Sequence, residues 1–366
     1  MTTKKKILIV TDAWRPQING VVRSLERLAE ELGKLDFEVV MLTPQSFRTA
    51  PCPTYPEIRL SLTTPGTIRR RIEAEAPDYI HIATEGPLGI MARRAALDRG
   101  GCGFTSSYHT RFPEYVVSRW PFVPIGPIRR WLKRFHNAAL ACMVATESLA
   151  RELTSHGHDN LTFWSRGVDT TLYHPREGLD DVYVDLPRPI FLNVGRVAVE
   201  KNLEGFLALD LPGTKVVIGD GPARAALEAR YPAARFLGAK IGEDLARHYA
   251  AADVFVFPSL TDTFGNVIIE ALASGVPVAA FPVMGPIDIL GGTRAGALSE
   301  DLREASLAAL ALDRADAARR AADFSWEGST RQFVTAIEAA QDKRRAQEES
   351  RRGSLVRSGV SSLIRR

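Results

Sequence analysis

The sequence predicts an α/β protein made of two doubly wound parallel-sheet domains that face each other across a cleft. Three observations lead there. Short apolar runs alternate with segments of helical periodicity along most of the 366 residues, the pattern of βα units around a parallel sheet. The alternation starts afresh near Pro187. The stretch from Asp169 to Leu186 holds Pro175 and, beyond Asp169 itself, Glu177, Asp180, Asp181 and Asp185, a linker composition. Domains are expected over 1–170 and 187–325, followed by a helix over 326–349 and a basic tail over 350–366.

In the first half, the KILIV run ending at Val10 is a buried strand, Thr11 to Asn19 a polar loop, and Gly20 to Leu32 a helix. Val21, Val22, Leu25, Leu28, Ala29 and Leu32 recur there at helical spacing. Further strands are expected at Glu38–Leu42, Tyr79–Ile82, Gly103–Tyr108 and Cys142–Ala145. In the second half, strands are expected at Ile190–Val194, Lys215–Ile218, Arg235–Leu237, Val254–Phe257 and Pro277–Ala280. Loops lie at Gly195–Asn202 and Gly219–Pro222, and helices at Asp244–Ala251 and around Asp262–Ala273.

Composition narrows the class. Apolar residues make up 45% and charged residues 25%, as in soluble globular proteins. No apolar run reaches the roughly 20 residues of a membrane span. The N-terminus lacks the apolar core and cleavage site of a signal peptide, so a cytoplasmic location is expected. Cys52, Cys102 and Cys142 are too scattered for a disulfide framework or a zinc site. Charge is uneven: residues 1–170 carry 23 basic and 17 acidic side chains, 171–340 carry 16 and 23, and 341–366 carry 8 and 3. A basic N-terminal half and tail suit an anionic neighbour.

Three loops follow strands at their carboxyl ends, where open α/β sheets bind ligands. The first ends in Asn19-Gly20 at a helix start, whose amides and dipole suit a phosphate. In the second, Arg196 and Lys201 bracket a turn and would compensate a diphosphate. In the third, Asp262 and Glu270 stand eight residues apart, placed to hold sugar or ribose hydroxyls. Plainer accounts stay open for each: a strand–helix turn, a charge pair with Glu200, and a helix cap at Asp262 with a surface ion pair at Glu270. Against the last, Glu270 sits among Ile268, Ile269, Ala271 and Leu272.

Seven segments together resemble a GT-B glycosyltransferase of the retaining family 4 type. They are WRPQINGVVRSLERLAEEL, SYHTRFPEY, SRGVDTTLYHP, NVGRVAVEKN, IGDGPARAALE, AAADVFVFPS and TDTFGNVIIEALASGVPVAA, in family order from residue 5 to about 330. The resemblance implies two Rossmann-like domains and transfer of a hexose from a nucleotide-diphosphate sugar (GDP-mannose or a UDP-hexose) with anomeric configuration kept. It implies that Asn19 and Gly20 approach the donor diphosphate, that Arg196 and Lys201 stabilise it on departure, and that Glu270 holds the ribose. Asp262 and the Phe264-Gly265-Asn266 backbone would hold the transferred sugar, and His109 would touch it near the reacting carbon. The Gly219–Gly221 loop would lie at the nucleotide base. The family pattern is Glu-x7-Glu. Here its first position is Asp262, shorter by a methylene, so donor sugar identity is not carried over. No cofactor is implied. The chain has no Asp-x-Asp and no metal-ligand spacing, and metal independence is expected.

For the acceptor, Ser118 to Phe135 interleaves five Arg or Lys with Trp120, Phe122, Trp131 and Phe135, a mixture suited to a membrane interface. A lipid acceptor and a peripheral position on the inner face of the cell membrane are expected, and nucleic acid is not. The alternative is a helix packed on the core with its arginines outward. Two rival functions share the architecture: a sugar-nucleotide 2-epimerase and a non-catalytic sugar-nucleotide-binding protein.

Overall fold

The computed structural model describes residues 4–17, 19–52, 55–98, 103–120, 122–179 and 182–363. The first half runs β1 Lys5–Val10, α1 Gly20–Lys34, β2 Phe37–Leu42, β3 Arg48–Cys52, β4 Tyr55–Leu62, α2 Pro65–Glu75, β5 Tyr79–Ile82, α3 Pro87–Leu97 and β6 Thr105–Ser107. It continues with α4 Phe112–Arg119, α5 Ile125–His136, β7 Ala141–Val144, α6 Glu147–Ser155 and β8 Leu161–Phe163. The second half runs β9 Ile190–Val194, α7 Leu203–Leu207, β10 Thr214–Ile218, α8 Arg224–Arg230, β11 Arg235–Phe236, α9 Gly242–Ala250 and β12 Val254–Phe257. It ends with α10 Asn266–Ala273, β13 Val278–Ala280, α11 Pro286–Leu290, β14 Gly296–Leu298, α12 Leu302–Ala309, α13 Arg314–Ala321 and α14 Trp326–Leu363.

Two six-stranded sheets result, ordered β2-β1-β5-β6-β7-β8 and β11-β10-β9-β12-β13-β14, with every pair parallel. The strand order reverses direction between β1 and β5 and between β9 and β12. At such switch points the neighbouring crossovers diverge and leave a crevice at the carboxyl ends. The second switch point places the loop after β9, Gly195–Asn202, beside the loop after β12, Pro258–Gly265.

The strands are buried on both faces. Ile7, Leu8, Ile9 and Val10 have 0% exposure, as does most of β9 and β12, which is why they read as continuous apolar runs. Helix α1 begins where the Asn19 side chain accepts from the Val21 and Val22 amides, each at 3.0 Å. It buries Val22, Leu25, Leu28 and Leu32. Each such side chain taken from water is worth about 2 kcal/mol.

Some expectations are corrected. The helix expected over 326–349 runs on to Leu363, through residues read as a basic tail. No proline interrupts it, and extending an established helix costs little compared with starting one. This helix follows the second sheet yet packs on the first: Phe333 and Ile337 join Ile7, Ile9 and Trp164, and Trp164 Nε1 donates to Ser329 Oγ at 3.1 Å. The β3–β4 hairpin escapes sequence reading because Pro51, Pro53 and Pro56 argue against strands. The strands β8 and β14 are too short to show a period. In the presumed linker, Tyr173 and Tyr183 are buried against the second core. Asp180, Asp181 and Cys102 lie outside the described residues.

Asp12, in the first loop, serves the fold. Its carboxylate accepts from the Leu88 and Gly89 amides at 2.8 and 3.1 Å and from Thr84 Oγ1 at 3.0 Å, so it caps α3 from another strand. Asp12→Ala leaves those donors buried without acceptors and is expected to cost about 2 kcal/mol in chemical denaturation. A loss below a few tenths would show that the cap is dispensable.

Histidines set the acid limb of stability. Burial holds His81 down at about 3, helped by Arg166, and His158 at about 4, helped by His136 and other nearby cations. Burial and Arg166 hold His109 well below its ordinary range, and burial lowers His248. Below about pH 6.5 the unfolded chain binds protons at these positions and the folded chain does not, so stability falls with pH. His81 alone accounts for about 2 kcal/mol between pH 6.5 and 5. His136 works in the other direction. Burial opposes its charge, but Cys142 and the Glu85 carboxylate raise it to about 10. Its contribution is complete below pH 6.5 and fades as pH rises toward 10. A denaturation midpoint at pH 5 equal to or above that at pH 7 contradicts this account.

Candidate functional site

The loop after β9 turns through a 3-10 segment, Val199–Lys201, and is pinned by Asn202. That residue adopts φ 50°, and its Nδ2 donates to the Pro258 carbonyl at 3.0 Å. The loops of β9 and β12 are thereby joined, and Lys201 Nζ reaches Asp262 Oδ1 at 2.5 Å. Burial pushes the Asp262 carboxyl up, but the Lys201 ammonium outweighs it and holds the group below its ordinary range, ionised. Asp262 therefore does not cap α10, which starts from Gly265 without a side-chain cap. Gly265 has φ 92°, a left-handed conformation that favours glycine.

Glu270, one turn into α10, is 8% exposed. Tyr249 Oη donates to its Oε2 at 2.9 Å, and Arg23 Nη1 of α1 lies 3.5 Å from Oε1. Burial raises its pKa, with Arg23 and Tyr249 opposing. The surface ion pair is replaced by a contact between this buried carboxylate and a partly exposed cation from the other sheet's helix.

The start of α1 faces the start of α10. Asn266 Nδ2 donates to Ser24 Oγ at 3.3 Å and lies 3.5 Å from the Gly20 carbonyl. A Cβ on Gly20 would sit 3.3 Å from Asn266 Nδ2, so the two helix starts approach closely at this glycine. Beside this, Thr263 Oγ1 donates to the His109 carbonyl at 2.8 Å. Gly20, His109, Asp262, Asn266 and Glu270 are thus drawn to one place.

His109 has a defined tautomer. Arg166 Nη2 lies 2.9 Å from Nδ1, and a guanidinium can only donate. Nδ1 is therefore the acceptor, and the neutral ring carries its proton on Nε2. That Nε2–H is buried without a hydrogen-bond partner, as is Asp262 Oδ2, while the nearby Ser259 hydroxyl adds to the lowering of Asp262. Arg166 itself is 5% exposed and lies over the Trp164 ring at 4.4 Å. It donates to the Trp164 and Ser165 carbonyls at 2.8 and 3.2 Å, and burial lowers it to about 10. A buried donor and a buried carboxylate oxygen left unmatched suit a polyhydroxylated ligand, whose hydroxyls donate and accept.

The remaining expected residues have other surroundings. A Cβ on Gly219 would lie 1.8 Å from the Gly195 carbonyl oxygen, and one on Gly221 2.3 Å from that of Val197. These glycines let the loop after β10 lie against the loop after β9, where Val197 donates to the Asp220 carbonyl at 2.9 Å. Phe264 is 5% exposed, edge-on to Phe324. Its side chain belongs to the core, leaving only its backbone for a ligand. Arg196 is half-buried one residue beyond Gly195. Sequence reasoning gave no role to Arg23, Tyr249, Ser259, Thr263 or Arg166. Arg23, Ser259, Thr263 and Arg166 stand inside the family-like segments, the signal that could have singled them out, and Tyr249 lies one residue before one of them.

Comparison with known proteins agrees with this geometry. Residues 18–172 match the family model Glycosyltransferase Family 4, and residues 188–314 match Glycosyl transferases group 1. Among similar proteins, sulfoquinovosyl transferase SQD2 of Arabidopsis thaliana is 30% identical over 75% of this chain, which spans 58% of that protein's length. A GDP-mannose-dependent alpha-mannosyltransferase of Mycobacterium tuberculosis is 30% identical over 80% of this chain and 83% of its own. In fold, the chain resembles sucrose-phosphate synthase from Thermosynechococcus elongatus, with a TM-score of 0.75 at 20% identity, covering 92% of this chain and 99% of that one. It also resembles Anabaena HepE in complex with UDP-glucose, with a TM-score of 0.72 at 16% identity, covering 91% and 99%. With two parallel-sheet units in the GT-B arrangement and the mycobacterial enzyme matched along most of both chains, the protein belongs to the family 4, group 1 glycosyltransferases.

Proposed function

We propose that this chain moves a hexose from a nucleotide-diphosphate sugar, GDP-mannose or a UDP-hexose, to a hydroxyl of a membrane lipid, with anomeric configuration retained and without a metal. The observation that carries the reading is the meeting of Lys201, Asp262, Glu270 and His109 at the second switch point, opposite the Gly20 end of α1. The printed names of the relatives, a GDP-mannose-dependent mannosyltransferase and a sulfoquinovosyl transferase, support a nucleotide-sugar donor and a glycolipid product. Among the described residues no helix is long and apolar enough to cross a membrane.

Each residue takes a role its surroundings allow. The amides at Asn19-Gly20 and the α1 dipole receive the diphosphate. Arg196 and Lys201 stabilise the charge that grows on it as the glycosidic bond breaks. Lys201 is held by Asp262 alone in the pair described, and a diphosphate would share it. Asp262 Oδ2 and His109 Nε2–H accept from and donate to sugar hydroxyls. Glu270 exchanges its contact with Arg23 for the ribose hydroxyls, and Gly219 and Gly221 shape the wall for the base. Retention follows if the leaving phosphate takes the acceptor proton on the face it departs from, so that bond breaking and bond forming share one face of the sugar.

A thermal-shift screen of UDP, GDP and ADP sugars tests the donor. One class is expected to raise the melting temperature in proportion to the logarithm of concentration over Kd, and no response from any of them sinks the proposal. Lys201→Ala is expected to lower kcat by about 100-fold to 1000-fold with the fold intact by circular dichroism. A wild-type chain that binds donor but neither transfers nor hydrolyses the sugar would mark a sensor instead. EDTA is expected to leave activity unchanged, and rescue of an EDTA-treated enzyme by a divalent ion alone would overturn metal independence. Retention is read from the anomeric coupling in the product's proton spectrum.

A further inference from the structure

Between α3 and α5 lies an open groove of ≈ 390 Å³ lined by Ile90, Arg93, Arg94, Pro127, Arg130, Trp131, Arg134 and Phe135. Its arginines come from two helices about forty residues apart in sequence. Arg93 ties them together: its guanidinium donates to the Phe135 and Arg134 carbonyls at 3.3 and 2.9 Å and lies over the Phe135 ring. Burial, with Arg134 and Arg94 nearby, holds Arg93 below its ordinary range. Arg130 and Arg134 stand one turn apart on α5, an arrangement of like charges that destabilises a bare helix.

Nearby carboxylates do not neutralise this cluster. Asp98, just past α3, pairs with Arg69 at 2.6 Å, and Glu114 pairs with Arg129 at 2.7 Å. Among the described residues, Arg94, Arg130 and Arg134 have no carboxylate partner. The floor is apolar. Trp131 remains 39% exposed, and Phe122, three residues before α5 begins, is 82% exposed. The other face of α5 is anchored in the core by Leu132, Phe135 and His136, so the helix both packs on the core and presents a cationic, aromatic surface.

We infer that this groove docks the phosphate headgroups of an anionic lipid surface. The guanidiniums of Arg94, Arg130 and Arg134 receive phosphate oxygens, while Trp131 and Phe122 enter the interfacial layer. Unmatched cations around an apolar floor are complementary to a charged headgroup above a hydrocarbon layer. They fit a nucleic-acid backbone less well, since its phosphates would meet exposed aromatics without a groove to continue along. The inference rests on the lipid-acceptor reading only for its biological setting, because it concerns binding in the absence of donor and acceptor.

Vesicle flotation of the full chain is the test. With vesicles of phosphatidylcholine plus about 30% phosphatidylglycerol at about 0.1 M salt, the chain floats, and at about 1 M salt it stays behind. The Arg94→Glu/Arg130→Glu/Arg134→Glu variant loses at least tenfold in vesicle affinity while keeping its donor-induced thermal shift. If the reversal unfolds the chain, Arg130→Gln/Arg134→Gln, with a melting temperature near the wild type, shows a smaller loss in the same direction. Trp131→Ala weakens binding at about 0.1 M salt, because the ring no longer enters the interfacial layer. Equal flotation with pure phosphatidylcholine, or unchanged binding by the folded arginine variants, overturns the inference. So does saturable binding of inorganic phosphate or glycerol phosphate with no binding to vesicles, which would assign the groove to a soluble anion. A wild type that binds anionic vesicles through these arginines but responds to no nucleotide sugar would defeat the proposed function and leave the docking site standing.

Discussion

The hydrogen bond from Thr263 Oγ1 to the His109 carbonyl, 2.8 Å long, joins residues from two sheets and is the constraint on which the site depends. Without it His109 and Asp262 would belong to separate loops on separate units. With it, the loops that carry a buried unmatched imidazole N–H and a buried unmatched carboxylate oxygen are tied together one residue from Asp262. Asn266 against Gly20 and Ser24, and Arg23 against Glu270, extend the same seam along α1 and α10. The two helix starts thereby face each other, and each turns its positive dipole end to the cleft.

Electrostatics within the seam separates the roles of its two carboxylates. Asp262 is half-buried beside a lysine and the Ser259 hydroxyl, and stays ionised below its ordinary range. Glu270 is buried beside a tyrosine and a longer contact to arginine, and its pKa is raised. The difference lies in the closeness of the cation, 2.5 Å against 3.5 Å. His109 is held neutral by its buried position and by Arg166, which also dictates its tautomer. A neutral donor next to an ionised acceptor is a good match for hydroxyls and a poor one for a second charge.

Much of the architecture was legible in the sequence because its signals are local. Fully apolar runs such as KILIV and VFVF mark strands covered on both faces, and the stripe on α1 marks its core side. The third loop was legible in the same way, through Glu270 amid apolar neighbours. The hairpin over 48–62 was not, because prolines hide strand character at an edge where missing amides are tolerated. The packing of α14 on the first sheet was also invisible, since nothing in its period names a partner 165 residues away. Arg166 reads as an ordinary polar residue in SRGVD, and only the fold reveals it buried under His109.

The sequence by itself determined the two parallel-sheet units, their order, the three loops at strand ends, and the residue types available there. Those features depend on apolar periodicity, turn chemistry and motif spacing, which act within a few residues. The tertiary structure alone decided that Asp12 caps α3, that Lys201 meets Asp262, and that Glu270 faces Arg23. It also decided that Gly219 and Gly221 answer to backbone crowding, and that arginines from α3 and α5 share one groove. Each of these is a contact between distant segments. Its existence follows from strand order and helix packing, which bring together groups that the chain keeps far apart.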